Sequence, residues 1–359
     1  MKISIALPAY YNRPIGGYYV HYMYANLLAS YGHQVTIIFP LYLSGSYTWK
    51  TPISTFIWAV KTRLKNRPLI SAIELNKRVK IRLTANLESS SLPKADVLIA
   101  TAWETAYAMR EVGSVHGRKY FIVYDYEYWM TANPPTKDRI ETTFRSDFLK
   151  IATSKCVQEM IESVGGECVA LIPCGLDFDD FHITRAPEAR AQLTLGFPIR
   201  GESFKGLKDA IAAAEILRDR YGDRLRVTAF GKNRLTLPDW IDWLEFPSQS
   251  ALREFYNDQA VFMLPSHFEG WGLTGVEALA CGAALVVTEN GGSQDYAFDR
   301  RTALVVKPQD PVGLADAISE LFGNENLRLK IAREGHQFVQ RFTWAESGSE
   351  LNALLSASV

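Results

Sequence analysis

The stretch that most narrows the choice of fold is residues 260–282, AVFMLPSHFEGWGLTGVEALACG. Its apolar start, residues 260–264, has the length of a buried strand and is closed by Pro265. Beyond Gly270, Trp271 and Gly272, the residues Leu273, Val276, Leu279 and Ala280 recur at helical spacing. The order is therefore strand, glycine turn, helix. The amides that open such a helix, from Gly272 through Leu273 to Thr274, lack partners inside it and carry its positive dipole end, which suits a phosphate. Glu269 in the turn and Glu277 on the helix bracket that seat. A carboxylate beside an anion repels it, so both read better as acceptors for hydroxyl groups. A ligand with phosphate and several hydroxyls is a nucleotide sugar. Taken alone, two glutamates at one spacing equally describe a loop acid and a solvated helix side chain.

The same alternation runs through the chain. Residues 2–7, 34–39, 96–100, 120–123, 150–152 and 168–172 read as strands, with helices at 16–30 and 155–164 among the stretches between. Further strands are expected at 192–199, 225–230, 240–246, 283–288 and 303–306, and helices after Lys205, Ser248, Pro311, Leu327 and Trp344. Strands alternating with helices imply parallel sheets covered on both faces, with ligands beyond the carboxyl ends of the strands. That singles out the loops Thr101-Ala102-Trp103-Glu104 and Tyr124-Asp125-Tyr126-Glu127. Either Trp103 and Tyr124 stack on a sugar whose hydroxyls meet Glu104, Asp125 and Glu127, or the rings are packing residues. Gly16 and Gly17 open the first helix, where a tight turn or an approaching ligand each explains them. Arg200 and Lys205, five apart across one turn, can converge on a phosphate pair, the first as a planar fork and the second as a point charge. A solvated turn with two cations is the alternative.

Composition removes several classes. Thirty-nine basic and thirty-nine acidic residues leave no net charge, so no global field draws in nucleic acid. The four cysteines, Cys156, Cys168, Cys174 and Cys281, show no Cys-x-x-Cys spacing, which fits buried thiols in a reducing cytoplasm. The acids at 177–180, like Asp125 and Glu127, lack a neighbouring ligand set, so no metal or other cofactor is expected. No apolar run approaches the length of a bilayer span. Residues 53–67 nevertheless place Ile53, Phe56, Ile57, Val60 and Leu64 on one helical arc edged by Lys61, Arg63 and Arg67, and Lys77, Arg78, Lys80 and Arg82 follow. An apolar face with cationic edges suits peripheral contact of residues 53–82 with an anionic membrane, or the face packs on its own sheet while the cations are solvated.

Glu269 and Glu277 form a Glu-x7-Glu pair within EGWGLTGVEALACGAALVVTENGG, which resembles the donor-site signature of the retaining glycosyltransferases of family four. LLASYGHQVTII near the start, IPCGLDFDDF at 172–181 and the Arg-x4-Lys spacing of Arg200 and Lys205 resemble the same family, although Ile199 stands where relatives carry glycine. The resemblance implies an α/β chain of GT-B fold, with two Rossmann-like domains facing across a cleft and a C-terminal helix crossing back. Boundaries are expected at 1–172 for the acceptor domain, 173–340 for the donor domain and 341–359 for the returning helix. It also implies roles: Gly16 and Gly17 against the donor's phosphates and sugar, and Arg200 and Lys205 neutralising the leaving diphosphate in place of a cation. Glu269 would hold sugar hydroxyls and Glu277 the ribose, with the loops at Phe230, Gly231 and Phe246 around the base. The histidine that many relatives place against the transferred sugar is missing from both tetrads. The expected activity is retaining transfer of a hexosyl group from a nucleotide-diphosphate sugar, UDP-glucose first, to a glycan or lipid-linked glycan in polysaccharide biosynthesis. A sugar-nucleotide epimerase of the same fold and a non-catalytic nucleotide-sugar-binding subunit are the alternatives. The expected place is the cytoplasm, at the inner face of the membrane if the basic segment binds there.

Overall fold

A computed structural model of the chain describes residues 1–9, 16–43, 73–124, 134–234 and 237–357. The chain divides into two compact units, Met1–Gly175 together with Trp344–Val359, and Leu176–Thr343. Each is built on a parallel sheet, and together they make the GT-B fold.

In the first unit the strands are β1 (Lys2–Ala6), β2 (Gln34–Pro40), β3 (Val79–Thr84), β4 (Val97–Ala100), β5 (Arg118–Val123), β6 (Leu149–Ala152) and β7 (Cys168–Leu171). They lie in the order β3-β2-β1-β4-β5-β6-β7. Ile3, Ser4 and Ile5 are all buried, so β1 is covered on both faces of the sheet. Described helices of this unit are α1 (Gly16–Ser30), α2 (Trp103–Met109), α3 (Pro134–Arg145) and α4 (Lys155–Ser163). Ser154 starts α4, its hydroxyl accepting from Val157 N at 3.2 Å.

The helix expected at 53–67 lies outside the described residues. The cations that follow it are placed differently from the sequence reading. Lys80 and Arg82 belong to β3, the edge strand, whose exposed positions alternate with the half-buried Val79, Ile81 and Leu83. Charges on an edge strand discourage pairing with another chain. Among the described residues, no helix is long and apolar enough to cross a membrane.

The second unit holds β8 (Thr194–Ile199), β9 (Arg226–Gly231), β10 (Asp242–Glu245), β11 (Val261–Leu264), β12 (Ala284–Thr288) and β13 (Leu304–Val306), ordered β10-β9-β8-β11-β12-β13. Its helices are α5 (Leu207–Tyr221), α6 (Gln249–Asp258), α7 (Leu273–Ala280), α8 (Pro311–Gly323) and α9 (Glu325–Val339). Phe197, Val261, Met263 and Val286 of the sheet pack with Ala213, Leu217, Leu314, Ile318 and Leu321 of the helices. Each large apolar side chain so buried contributes about 1.5–3 kcal/mol before conformational entropy is charged against it. Ser248 caps α6 through Ala251 N at 3.2 Å, as its position in the sequence implies. Two strands are shorter than read: Gln192 precedes β8 and donates to Phe322 O, and Trp240 precedes β10, which ends at Glu245.

The strand order positions the site. From β8 the chain winds outward through β9 to β10, then returns to the far side of β8 and winds the other way through β11, β12 and β13. Connections leaving β8 and β11 therefore diverge to opposite faces, and a crevice opens between their carboxyl ends.

The chain ends in α10 (Trp344–Ser356), which packs on α1. Trp344 stands edge-on to Tyr24 at 5.6 Å, and the Ser347 hydroxyl donates to Pro173 O at 2.7 Å.

Candidate active site

The loop after β8 carries Arg200, exposed, then a turn of 3-10 helix at Ser203–Lys205 and Gly206. Gly206 has φ +70°, and a Cβ built there would lie 2.0 Å from Pro265 O. A side chain is excluded by both conformation and space, so the turn that bears Lys205 lies flat on the first residue of the β11 loop. His267 N donates to Phe204 O at 2.7 Å, and the Thr288 hydroxyl donates to Ser266 O. The β11 loop is thus held between its neighbours on both sides.

This packing orients Glu269. Its Oε2 accepts from Lys205 Nζ at 3.0 Å and its Oε1 from the Ser266 hydroxyl at 2.6 Å. Its backbone N–H donates to Asn290 O at 2.8 Å, and its carbonyl accepts from Gly292 N at 2.9 Å. Both carboxylate oxygens have a donor, and the side chain is only 14% exposed. Sequence reasoning assigned Lys205 to a diphosphate and Glu269 to sugar hydroxyls. The fold brings cation and carboxylate into direct contact.

Glu277, on the first turns of α7, is half-buried, and its Oε2 accepts from the Tyr256 hydroxyl at 2.7 Å. Burial pushes its carboxyl pKa up, while the Tyr256 hydrogen bond and the charge of Arg200 pull it back. Burial, and then the neighbouring carboxylate, hold the Tyr256 phenol well above its ordinary value, so it stays the donor. Arg200 therefore acts electrostatically on the Glu277–Tyr256 pair as well as standing on the loop with Lys205.

Between the two acids, α7 starts at Gly272, φ +83°, with no side chain capping its first turn. The Tyr296 hydroxyl donates to Gly272 O at 2.7 Å, and a Cβ on Gly272 would meet that hydroxyl at 2.7 Å. Gly270 is buried in the loop, and Leu273 and Thr274 are half-buried at the helix start.

Three aromatic residues of the candidate loops turn their rings inward. Trp271 is 3% exposed and packs against Phe342 at 5.0 Å and Tyr296 at 5.5 Å, so its ring supports the loop from below. Phe230 is buried against Phe255 and Tyr256, which leaves only backbone to offer a ligand. Trp103 starts α2 and is largely buried against Tyr107, although it also lines a cavity of about 50 Å³ with Thr101 and Tyr124. By contrast Phe246 is exposed, with φ +42°, and donates its N–H to the carbonyl of Gly231, the last residue of β9. Gly16 and Gly17 are exposed at the start of α1, and Glu104 is half-buried in the first turn of α2. Tyr124 stands edge-on to His21 at 4.7 Å. Asp125 and Glu127 lie outside the described residues.

Sequence reasoning missed several participants. Tyr256 gave no signal beyond an aromatic on a helix, and Ser266 was passed over although it precedes Glu269 by one turn. His21 was not weighed; it is 3% exposed, burial lowers its pKa to about 3, and its ring is neutral at working pH. His267 was also passed over; its Nε2 lies 2.6 Å from Asp209 Oδ2. Among the described residues, no group of three or more His, Cys, Asp or Glu side chains is arranged to hold a metal ion.

Residues 184–338, nearly the whole second unit, match the family described as glycosyl transferases group 1. The chain carries a group 1 glycosyltransferase domain. Among curated relatives, the D-inositol 3-phosphate glycosyltransferase of Corynebacterium jeikeium is 26% identical over 239 residues, covering 58% of this chain and 57% of that protein. The capsular polysaccharide biosynthesis glycosyltransferase CapM of Staphylococcus aureus is 25% identical over 179 residues, 46% of this chain and 47% of its own. The chain spans about half the length of the curated relatives it matches. In fold it is similar to sucrose-phosphate synthase of Thermosynechococcus elongatus, with TM-score 0.78, 15% identity, and 99% and 98% of the two chains covered. It is also similar to Anabaena HepE, solved in complex with UDP and glucose, with TM-score 0.74, 16% identity, and 99% and 100% covered. In this group 1 domain, the strand–turn–helix that opened the sequence reading is the β11 loop and α7.

Proposed function

We propose that the chain is a retaining glycosyltransferase that moves a hexosyl group from a nucleotide-diphosphate sugar to an acceptor hydroxyl. The observation that carries this reading is the convergence of Lys205 and Glu269, 3.0 Å apart, at the point where β8 and β11 diverge. An ammonium beside the uncapped start of α7 suits a diphosphate, and an oriented carboxylate suits sugar hydroxyls. In this reading Arg200, Lys205 and the α7 amides stabilise charge growing on the leaving diphosphate, without a metal ion. One such preorganised donor is typically worth about 3 kcal/mol of barrier. Glu277, tied by Tyr256, accepts from the ribose, and the backbone around Gly231 with the exposed Phe246 borders the base. Because Lys205 and Ser266 hold both oxygens of Glu269, a role in orienting the sugar is favoured over attack on it.

UDP-glucose is the first donor to test, since HepE is solved with UDP-glucose and TarM of Staphylococcus aureus with UDP. The acceptor class proposed is a glycan or lipid-linked glycan, in keeping with the capsular polysaccharide relative. The test is release of nucleotide from a panel of UDP-, GDP-, ADP- and TDP-sugars, with product anomers assigned by NMR. Release from one donor with an α-linked product from an α-linked sugar is expected. An inverted product, or an epimerised donor with no nucleotide released, would overturn the reading.

A further inference from the structure

Beyond Lys205 and Glu269, a second pair of side chains links the β11 loop to the first turn of α5. His267 lies two residues before Glu269, and Asp209 four residues after Lys205. His267 Nε2 is 2.6 Å from Asp209 Oδ2, and a carboxylate only accepts, so Nε2 carries the proton. Nδ1 faces the Gln309 amide at 3.5 Å, consistent with that tautomer. The backbone of His267 makes its own tie to Phe204 O. Asp209 sits in the first turn of α5, a rigid element whose positive end favours the charge. The His267 and Asp209 side chains are 16% and 19% exposed, so the contact is shielded from water.

The backbone tie to Phe204 O and the packing of Gly206 on Pro265 set how close the loops lie, and the His267–Asp209 contact adds an anchor on a rigid helix that stops the β11 loop turning about those ties. We propose that the His267–Asp209 pair is the positioning element of the donor site, fixing the loop orientation that holds Lys205 and Glu269 against the same ligand. Neither residue touches the ligand; both act through Lys205 and Glu269. The inference rests on the donor-site reading above.

A double-mutant cycle tests it, with calorimetry of free UDP, GDP, ADP and TDP as the readout. His267→Ala should weaken the nucleoside diphosphate that binds by about tenfold, and by less than about twofold when Lys205 is already alanine. His267→Gln, whose amide N–H reaches the place of Nε2–H, should stay within about threefold of wild type. A merely structural histidine would give the same loss in both backgrounds, and that additivity would overturn the proposal, as would a His267→Gln variant no better than alanine. Should His267→Ala fail to fold, Asp209→Ala takes its place in the cycle, again expected to lose its effect beside Lys205→Ala. If Lys205→Ala weakens binding and neither His267→Ala nor Asp209→Ala does, the positioning role falls while the donor site stands. If no nucleoside diphosphate binds the wild type, the donor-site reading falls and takes this inference with it.

Discussion

Tyr256→Phe removes one oxygen and leaves the surrounding rings in place. Tyr256 is fully buried among Phe181, Phe230, Phe255 and Phe262, with ring centroids 5.2–6.1 Å away, so phenylalanine fits the same slot. What is lost is a 2.7 Å hydrogen bond to the Glu277 carboxylate. Hydrogen bonds to charged groups are worth about 1.5–3 kcal/mol, and the half-buried Glu277 recovers part from water, so a loss of about 1.5–2 kcal/mol is expected once Glu277 is ionised. For a unit of this size that lowers the Tm by roughly 3–8 °C. The pH dependence has a definite sign. Burial raises the folded pKa of Glu277 above its ordinary 4.5, so folding favours the protonated acid, and stability falls as pH rises from 4.5 through the raised value. The Tyr256 hydroxyl lessens that shift, and removing it deepens the fall. The deficit of Tyr256→Phe should therefore be small in acid and reach its full size above the raised pKa. Thermal unfolding of both proteins at half-unit steps from about pH 4.5 to 8 measures it. A deficit that is constant with pH, or greatest in acid, refutes the argument.

Arg200→Ala and Lys205→Ala should each lower turnover about a hundredfold while activity persists in EDTA; loss in EDTA restored by magnesium or manganese would contradict metal-free stabilisation of the diphosphate. Glu277→Ala should weaken free nucleoside diphosphate in calorimetry, whereas Glu269→Ala should spare that affinity and abolish discrimination among donor sugars. Equal effects on nucleotide affinity would falsify the division of roles. Gly206→Ala forces a side chain at φ +70° into Pro265 O, and the denaturation midpoint should drop by the equivalent of about 3 kcal/mol or more; an unchanged midpoint would mean the two loops are not in contact.

The alternating strands and helices were legible because strands buried on both faces must be apolar throughout, as Leu98, Ile99, Val286 and Val287 are. β3 escaped notice because an edge strand exposes one face, and Lys80 and Arg82 there look like any solvated charges. Glu269, Glu277, Arg200 and Lys205 come to notice through spacings that resemble a family pattern, since alone each pair fits a solvated turn or helix face equally well. Their supports do not share that register. Tyr256 reaches Glu277 from another helix, and Asp209 reaches His267 across 58 positions of sequence, so only the packed fold reveals either pair. The burial of an aromatic is hidden for a related reason: Trp271, flanked by glycines in the sequence, is covered by Phe342 far along the chain.

The return of α10 to α1 has a consequence for biogenesis. Leu176–Thr343 is an insertion within the sequence of the first unit, which resumes at Trp344. During synthesis the second unit emerges whole and can close first, whereas the first waits with Tyr19, Tyr24 and Leu27 of α1 uncovered until Trp344 and Gly348 arrive against them. For that interval the nascent chain exposes an aromatic surface to the cell, and a ribosome stalled just short of α10 would display the incomplete first unit to chaperones and proteases beside a finished second unit.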